Sequence, residues 1–283
     1  PDTSKNRKFL RDWLTKLLAT PGEVFSPSMV EDVNSAINGN YKLDYDERRL
    51  ANIFPFFPVG GENSLRNRLK QWIDNGDKAW VFDNENDSLE INTRLIGFDV
   101  TDFLEDPVIR TPLLMYLFQR IDELITGEPI TITLDEGWKL LDDEYFEKNF
   151  KNWLKVIRKL NGLTMFGTQE PSDVTKSAVG ATIRSQSKTK IFLRNTQADK
   201  VDYVDNFKLT LREFEIIKTL PQRNFLIKQG TKSVVAELDL SGMDDTIAVL
   251  SGTKANVEIL DEIRGEVGND PKVWLPIFHK RRT

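Results

Sequence analysis

Ile130-Thr131-Ile132-Thr133-Leu134-Asp135-Glu136 is a β-branched, apolar run that ends in two adjacent carboxylates, and it decides the fold class. A helix over 144–160 follows, then a second strand over 163–167 that runs into Thr168-Gln169-Glu170-Pro171-Ser172. A further helix over 174–185 and a strand over 189–193 continue the alternation. Upstream, Leu113, Leu114, Met115, Leu117, Phe118 and Ile121 mark a long apolar helix over 108–125, closed by Gly127. Strands alternating with helices of this length imply βαβ units and a mostly parallel sheet with helices on both faces.

Outward from this core the grammar differs. Residues 1–76 read as an all-α subdomain. Phe9, Leu10, Trp13, Leu14, Leu17 and Leu18 recur at helical spacing, and Ser26-Pro27 is an N-cap with proline at the first helical position. Leu65, Leu69, Trp72 and Ile73 make another amphipathic helix, stopped at Asn75-Gly76. From residue 77 to 283 the α/β core is expected, with early strands over 79–82 and 95–100. Late in the chain come a helix over 211–220, a hairpin of 224–227 and 233–238 turning at Gln229-Gly230-Thr231-Lys232, and a helical tail over 244–278.

Composition narrows the function. The 283 residues carry 39 Lys+Arg against 44 Asp+Glu, a net charge of −5, which argues against a nucleic-acid-coating surface as the main activity. There is no cysteine and one histidine, His279, which argues against thiolate or histidine metal centres and a Ser-His triad, and fits a reducing compartment. No apolar run reaches the roughly 20 residues that span a bilayer. The start at Pro1, without methionine, reads as a piece of something longer.

Parallel α/β sheets bind ligands at the C-terminal ends of their strands, where Asp135, Glu136 and Gln169 fall. Phosphoryl transfer needs an acid for the magnesium shell and a carboxylate to orient the attacking water, and adjacent strand positions can supply both. Asp135 and Glu136 could between them take the metal and the water; the bland alternative is a solvated pair opening a surface turn. Gln169 can contact a γ-phosphate and its water, while Ser172 or Asp173 caps the next helix. Arg158, ending the intervening helix, is either a finger reaching a neighbour's γ-phosphate or a cation compensating the helix dipole. No G-x-x-x-x-G-K-[ST] occurs in the chain, so the phosphate-cradling loop is absent from it.

The ordered motifs Arg110-Thr111-Pro112-Leu113-Leu114-Met115-Tyr116-Leu117-Phe118-Gln119-Arg120-Ile121, Leu134-Asp135-Glu136-Gly137-Trp138-Lys139-Leu140-Leu141 and Gly167-Thr168-Gln169-Glu170-Pro171-Ser172-Asp173 resemble the type IV secretion ATPases of the CagE/TrbE/VirB-four family. Thr189-Lys190-Ile191-Phe192-Leu193, Phe225-Leu226-Ile227-Lys228-Gln229-Gly230, Asp239-Leu240-Ser241-Gly242-Met243, Ala248-Val249-Leu250-Ser251-Gly252 and Trp274-Leu275-Pro276 extend the likeness through nearly the whole chain. Gly137 departs from it, the family usually having alanine there.

The resemblance implies a RecA-like P-loop NTPase core, with the Walker A loop lying upstream of Pro1. Asp135 and Glu136 then correspond to the Walker B pair, Gln169 to the γ-phosphate sensor and Arg158 to a finger acting across a subunit interface. Arg194, Arg223, Lys228 and Gln229 would line the nucleotide or interface side. ATP and Mg2+ are the implied cofactors. The implied work is hydrolysis that energises pilus assembly and export, at the cytoplasmic face of the bacterial inner membrane, by a homo-hexamer peripherally associated with it. Implied partners are the traffic ATPase, the coupling protein and inner-membrane channel proteins, with transient DNA contact. The piece alone is expected to be inactive. Alternatives are a DNA-pumping coupling translocase and a non-catalytic docking scaffold.

Overall fold

The computed structural model describes residues 1–89, 91, 93–136, 140, 143–177 and 179–282. Gly137, Trp138, Lys139 and Leu141 of the quoted motifs lie outside the described residues. The chain divides into two compact units, Pro1–Ser187 and Lys188–Thr283.

In the first unit, α1 (Ser4–Leu18) and α2 (Pro27–Asn40) start as expected. Thr3 accepts from the Asn6 N–H and Ser26 from the Met29 N–H, satisfying donors that no helical carbonyl reaches. Trp13, Leu14, Leu17 and Leu18 of α1 pack on Val33, Ala36 and Ile37 of α2 and on Leu65 and Leu69 of α3 (Leu65–Leu69). A 3₁₀ turn, Lys70–Trp72, prolongs α3.

The strand expected over 79–82 is instead a helix, α4 (Ala79–Phe82). A four-residue apolar run has no period of its own, so its surroundings choose. Here the buried Asp83 carboxylate accepts from Arg49 and from the N–H groups of Ala51 and Asp74, and its own N–H bonds the Ala79 carbonyl. That closes a helical turn and lays Phe82 edge-on to Trp13. The strand expected over 95–100 is also absent: these residues have no regular structure, and no strand pairs with them among the described residues. Without a partner, their backbone groups gain nothing from extending.

α5 (Thr101–Leu104) leads into α6 (Pro107–Leu124), whose Ile109 and Met115 join the helical core. β1 (Ile130–Leu134) then pairs in parallel with β2 (Gly162–Phe166), Ile130 opposite Gly162 and Leu134 opposite Phe166. The crossover is α7 (Glu144–Val156), extended by a 3₁₀ turn, Ile157–Leu160. A side chain at Gly162 would meet Ile157 Cγ1 at 2.4 Å, so glycine lets the chain turn back tightly into β2. Phe150 of α7 lies against Phe166, and Ile132 is buried. The opposite face, expected to be covered too, presents Thr131, Thr133, Leu163 and Met165 to the exterior.

The helix expected over 174–185 is two, α8 (Pro171–Lys176) and α9 (Gly180–Gln186). Ser177 interrupts it, bonding back to the Val174 carbonyl through both its N–H and its hydroxyl.

In the second unit, β3 (Thr189–Leu193) does not continue a parallel sheet. It pairs antiparallel with β4 (Asn224–Gln229), which pairs antiparallel with β5 (Lys232–Glu237). The long return between β3 and β4, with a π-helical segment Val201–Asn206 and α10 (Leu211–Thr219), packs Tyr203, Leu209, Phe214 and Ile217 onto Phe192 and Leu226, which permits the antiparallel return. Gly230 takes a left-handed φ of 61° in the expected turn. α11 (Asp244–Leu250), α12 (Lys254–Val267) and α13 (Pro271–Arg281) gather around Ala248, Ile263 and Phe278, so the tail is helical as expected.

Candidate functional site

The parallel ladder continues one residue beyond β1 and β2, where the Gly167 N–H donates to the Leu134 carbonyl at 2.8 Å. Asp135 and Glu136 follow in a turn, with Glu136 at a left-handed φ of 49°. A side-chain carbon at position 167 would lie 3.3 Å from Asp135 Oδ1, so the two strand tips meet at glycine. Two residues on, Gln169 Nε2 donates to Glu136 Oε1 at 2.5 Å. Asp135 and Gln169 are exposed and Glu136 is half-buried, so all three are within reach of a ligand.

The loop carrying Gln169 is braced. The Thr168 hydroxyl bonds Asp173 Oδ2 at 3.0 Å and the Glu170 carbonyl at 3.2 Å. Asp173 is thus engaged from the loop, and the N-cap position of α8 falls to Glu170, with Pro171 in the first turn, rather than to Ser172 or Asp173. Asp143 is a second support that the sequence reading passed over. It is buried, accepts from Thr111 Oγ1 of α6, and caps α7 through the Phe146 N–H, fixing the crossover between the two strands.

Arg158 stands elsewhere. It is exposed in the 3₁₀ turn that precedes β2, at the N-terminal end of the pair. β2 has five residues, about 13 Å at ~3.3 Å per residue, so Arg158 and Gln169 occupy opposite ends of one strand. The structure does not bring Arg158 to the carboxylates of its own chain.

In the second unit, Lys228 is occupied: its ammonium bonds both oxygens of Glu213 at 2.8 Å, and Glu213 closes a capping box with Thr210. Burial pushes the Glu213 carboxyl up, but the Lys228 ammonium and the Thr210 N–H outweigh it and bring its pKa down to about 2. Gln229 Nε2 bonds Thr189 Oγ1 at 3.1 Å across the sheet. Arg194 and Arg223 are exposed and flank the far end of that sheet.

A family model described as the TraG P-loop domain matches residues 62–240, more than half of the chain. The chain belongs to the TraG P-loop domain family. Within it, the similar proteins are of the VirB-four kind that the motifs resemble. A type IV secretion system protein virB4 of Bartonella quintana is 46% identical over 99% of this chain and 36% of its own length. One from Brucella suis is 38% identical over 99% of the chain and 35% of its own length, and the type IV secretion system protein PtlC of Bordetella pertussis is 34% identical over 100% and 36%. The chain therefore spans little more than a third of these curated relatives.

The solved structure of VirB4 from Thermoanaerobacter pseudethanolicus matches with a TM-score of 0.65 at 14% identity, covering 85% of this chain and 70% of that one. At that identity the likeness is one of fold, and the fold of this TraG P-loop domain is RecA-like α/β. No helix among the described residues is long and apolar enough to cross a membrane.

Proposed function

We propose that this chain is the catalytic-strand portion of a type IV secretion ATPase, in which a longer protein supplies the phosphate-binding loop. The carrying observation is the contact of Gln169 with Glu136 beside Asp135, at the C-terminal tips of adjacent parallel strands. Glu136 would accept the proton of a water that attacks the γ-phosphorus as the bond to ADP breaks, and Gln169 holds that carboxylate while reaching the phosphate oxygens. The exposed carboxylate of Asp135 is a hard oxygen donor of the kind Mg2+ prefers, so Asp135 is the residue that would hold it. Bound Mg2+ would supply neutralisation of phosphate charge.

Arg158, at the opposite strand end, serves this reaction only from a neighbouring subunit, which suits a ring; we assign a homo-hexamer. The boundary after residue 76 separates a helical subdomain from the motor core in this reading. Arg194, Arg223, Lys228 and Gln229 line the nucleotide or interface side, Lys228 and Gln229 through contacts that hold the sheet. Partners are other secretion subunits (the traffic ATPase, the coupling protein and channel proteins) at the cytoplasmic face of the inner membrane. A DNA-pumping translocase is less favoured by the net charge of −5.

The test is Glu136→Gln in the longer protein. ATP binding is retained and hydrolysis falls by about 100-fold or more. Unchanged turnover would remove Glu136 from the mechanism. The 283-residue chain alone should bind ATP more weakly than the micromolar range by calorimetry.

A further inference from the structure

α7 and the 3₁₀ turn that extends it have two contrasting faces. Phe146, Phe150, Trp153 and Ile157 recur at helical spacing and are buried. Lys148, Lys151, Lys155 and Lys159 recur at the same spacing on the opposite side. Lys151 is half-buried and the other three are exposed, and none of the four has a hydrogen-bond or ion-pair partner among the described residues. Residues 148–159 hold these lysines and Arg158 and no carboxylate, in a chain whose net charge is −5. The stripe is about 17 Å long at ~1.5 Å per residue.

The matching acid gathers at one end of the same unit. α7 begins after β1 finishes and leads back to the start of β2, so its first turn lies at the strand-tip end. Asp143, at the N-cap of α7, accepts from the Thr111 hydroxyl near the start of α6, which brings the start of α6 to that end too. Just ahead of α6, residues 99–106 carry Asp99, Asp102, Glu105 and Asp106 and no lysine or arginine. Asp102 and Glu105 are exposed and have no ion-pair partner among the described residues. Asp135 and Glu170, exposed at the strand tips, add to them. One end of the unit is acidic and one flank basic, and among the described residues no ion pair joins the two.

We propose that the lysine stripe of α7 docks on the acidic strand-tip end of a second copy of this chain. Two different patches meet, so the contact does not close at a dimer, and each copy keeps a patch of either sign for further copies. Nucleic acid or an anionic membrane would match the lysines and leave the carboxylates of the other end unmatched; a second copy matches both. Arg158 continues the stripe, so the same docking carries it toward the neighbour's Glu136. Only that last step rests on the motor reading above, because the charge match stands without hydrolysis.

The experiment is sedimentation velocity of the 283-residue chain at about 0.02 M and about 0.5 M salt, a range over which exposed charges go from weakly to strongly screened. Species larger than a dimer form at low salt and return to monomer at high salt. Lys148→Glu with Lys155→Glu, and separately Asp102→Lys with Glu105→Lys, each weaken self-association about tenfold or more. Mixing the two doubly substituted proteins restores it, because each offers the patch that the other lacks, and the recovery shows that both are folded. A monomer at every salt concentration, self-association that ignores either pair of substitutions, or no recovery on mixing would each overturn the assignment. So would lysine-dependent capture of duplex DNA or phosphatidylglycerol vesicles by a chain that stays monomeric. Self-association that follows these charges, beside a longer protein whose Glu136→Gln variant hydrolyses normally, would sink the motor reading and leave the docking surface standing. A chain that never self-associates, beside a Glu136→Gln variant that has lost hydrolysis, would do the reverse.

Discussion

Gln169 and Glu136, 33 residues apart in the chain, share a 2.5 Å hydrogen bond from amide Nε2 to carboxylate Oε1. The contact exists because β1 and β2 are in register to their last pair, Leu134 with Phe166, and Gly167 lets the tips close. Removing the amide takes away this contact at the strand tips. Gln169→Ala in the longer protein should lower phosphate release by about 100-fold with ATP affinity nearly unchanged, since loss of positioning is felt in turnover. Equal steady-state turnover would detach Gln169 from the reaction.

Gly167 carries a subtler expectation. A methyl group there would stand 3.3 Å from Asp135 Oδ1, so the exposed carboxylate must shift by a few tenths of an ångström. Gly167→Ala should keep its melting temperature within a few degrees while hydrolysis drops roughly tenfold. A variant that melts early, or one that hydrolyses at the normal rate, would show that the close approach is not what glycine provides.

Because Arg158 lies at the other end of β2 from Gln169, its effect should appear only in assembled rings. Arg158→Ala should reduce turnover by roughly 1,000-fold, leaving nucleotide affinity intact. Mixing it with Glu136→Gln subunits should restore part of the activity, since some interfaces then pair an intact arginine with an intact carboxylate. No recovery at any mixing ratio would rule out action in trans.

The Glu213–Lys228 pair predicts acid behaviour. The side chains are 8% and 11% exposed, and the Glu213 pKa lies at about 2 against an ordinary 4.5. A carboxyl depressed in the folded state stabilises it above the unfolded pKa, and that stability is lost as pH falls from about 4.5 toward 2. Glu23, hydrogen-bonded by Arg68 and by the Thr20 N–H, is likewise lowered to about 2 and adds to the same transition in the first unit. Lys228→Ala should cost about 3 kcal/mol by denaturant titration at neutral pH, and flatten the acid limb for the second unit. A variant as stable as the parent would mean that Glu213 finds compensation elsewhere.

The alternation of strand and helix from residue 107 to 193 was legible because each segment carries its own period, and the site residues because carboxylates and an amide followed β-branched runs. The hairpin and the capping at Ser26 were readable from local turn and cap chemistry. Residues 79–82 were not: four apolar residues suit either state, and the buried Asp83 carboxylate, gathering Arg49 and the Ala51 and Asp74 amides, settled on a helix. The direction of β3 was equally hidden, because a strand's own residues do not say which neighbour it will meet.

By itself the sequence determined which side chains stand at strand ends, since the order of residues along a strand is covalent. Only the tertiary structure decided which ends meet. Parallel pairing of β1 with β2 joins Asp135, Glu136 and Gln169 and strands Arg158 at the far side, while antiparallel pairing of β3 with β4 sets Arg194 beside Arg223. Both outcomes depend on backbone hydrogen bonds between segments distant in the chain. Such bonds are alike for every residue type, so the partner is chosen by how the flanking helices bury their apolar faces.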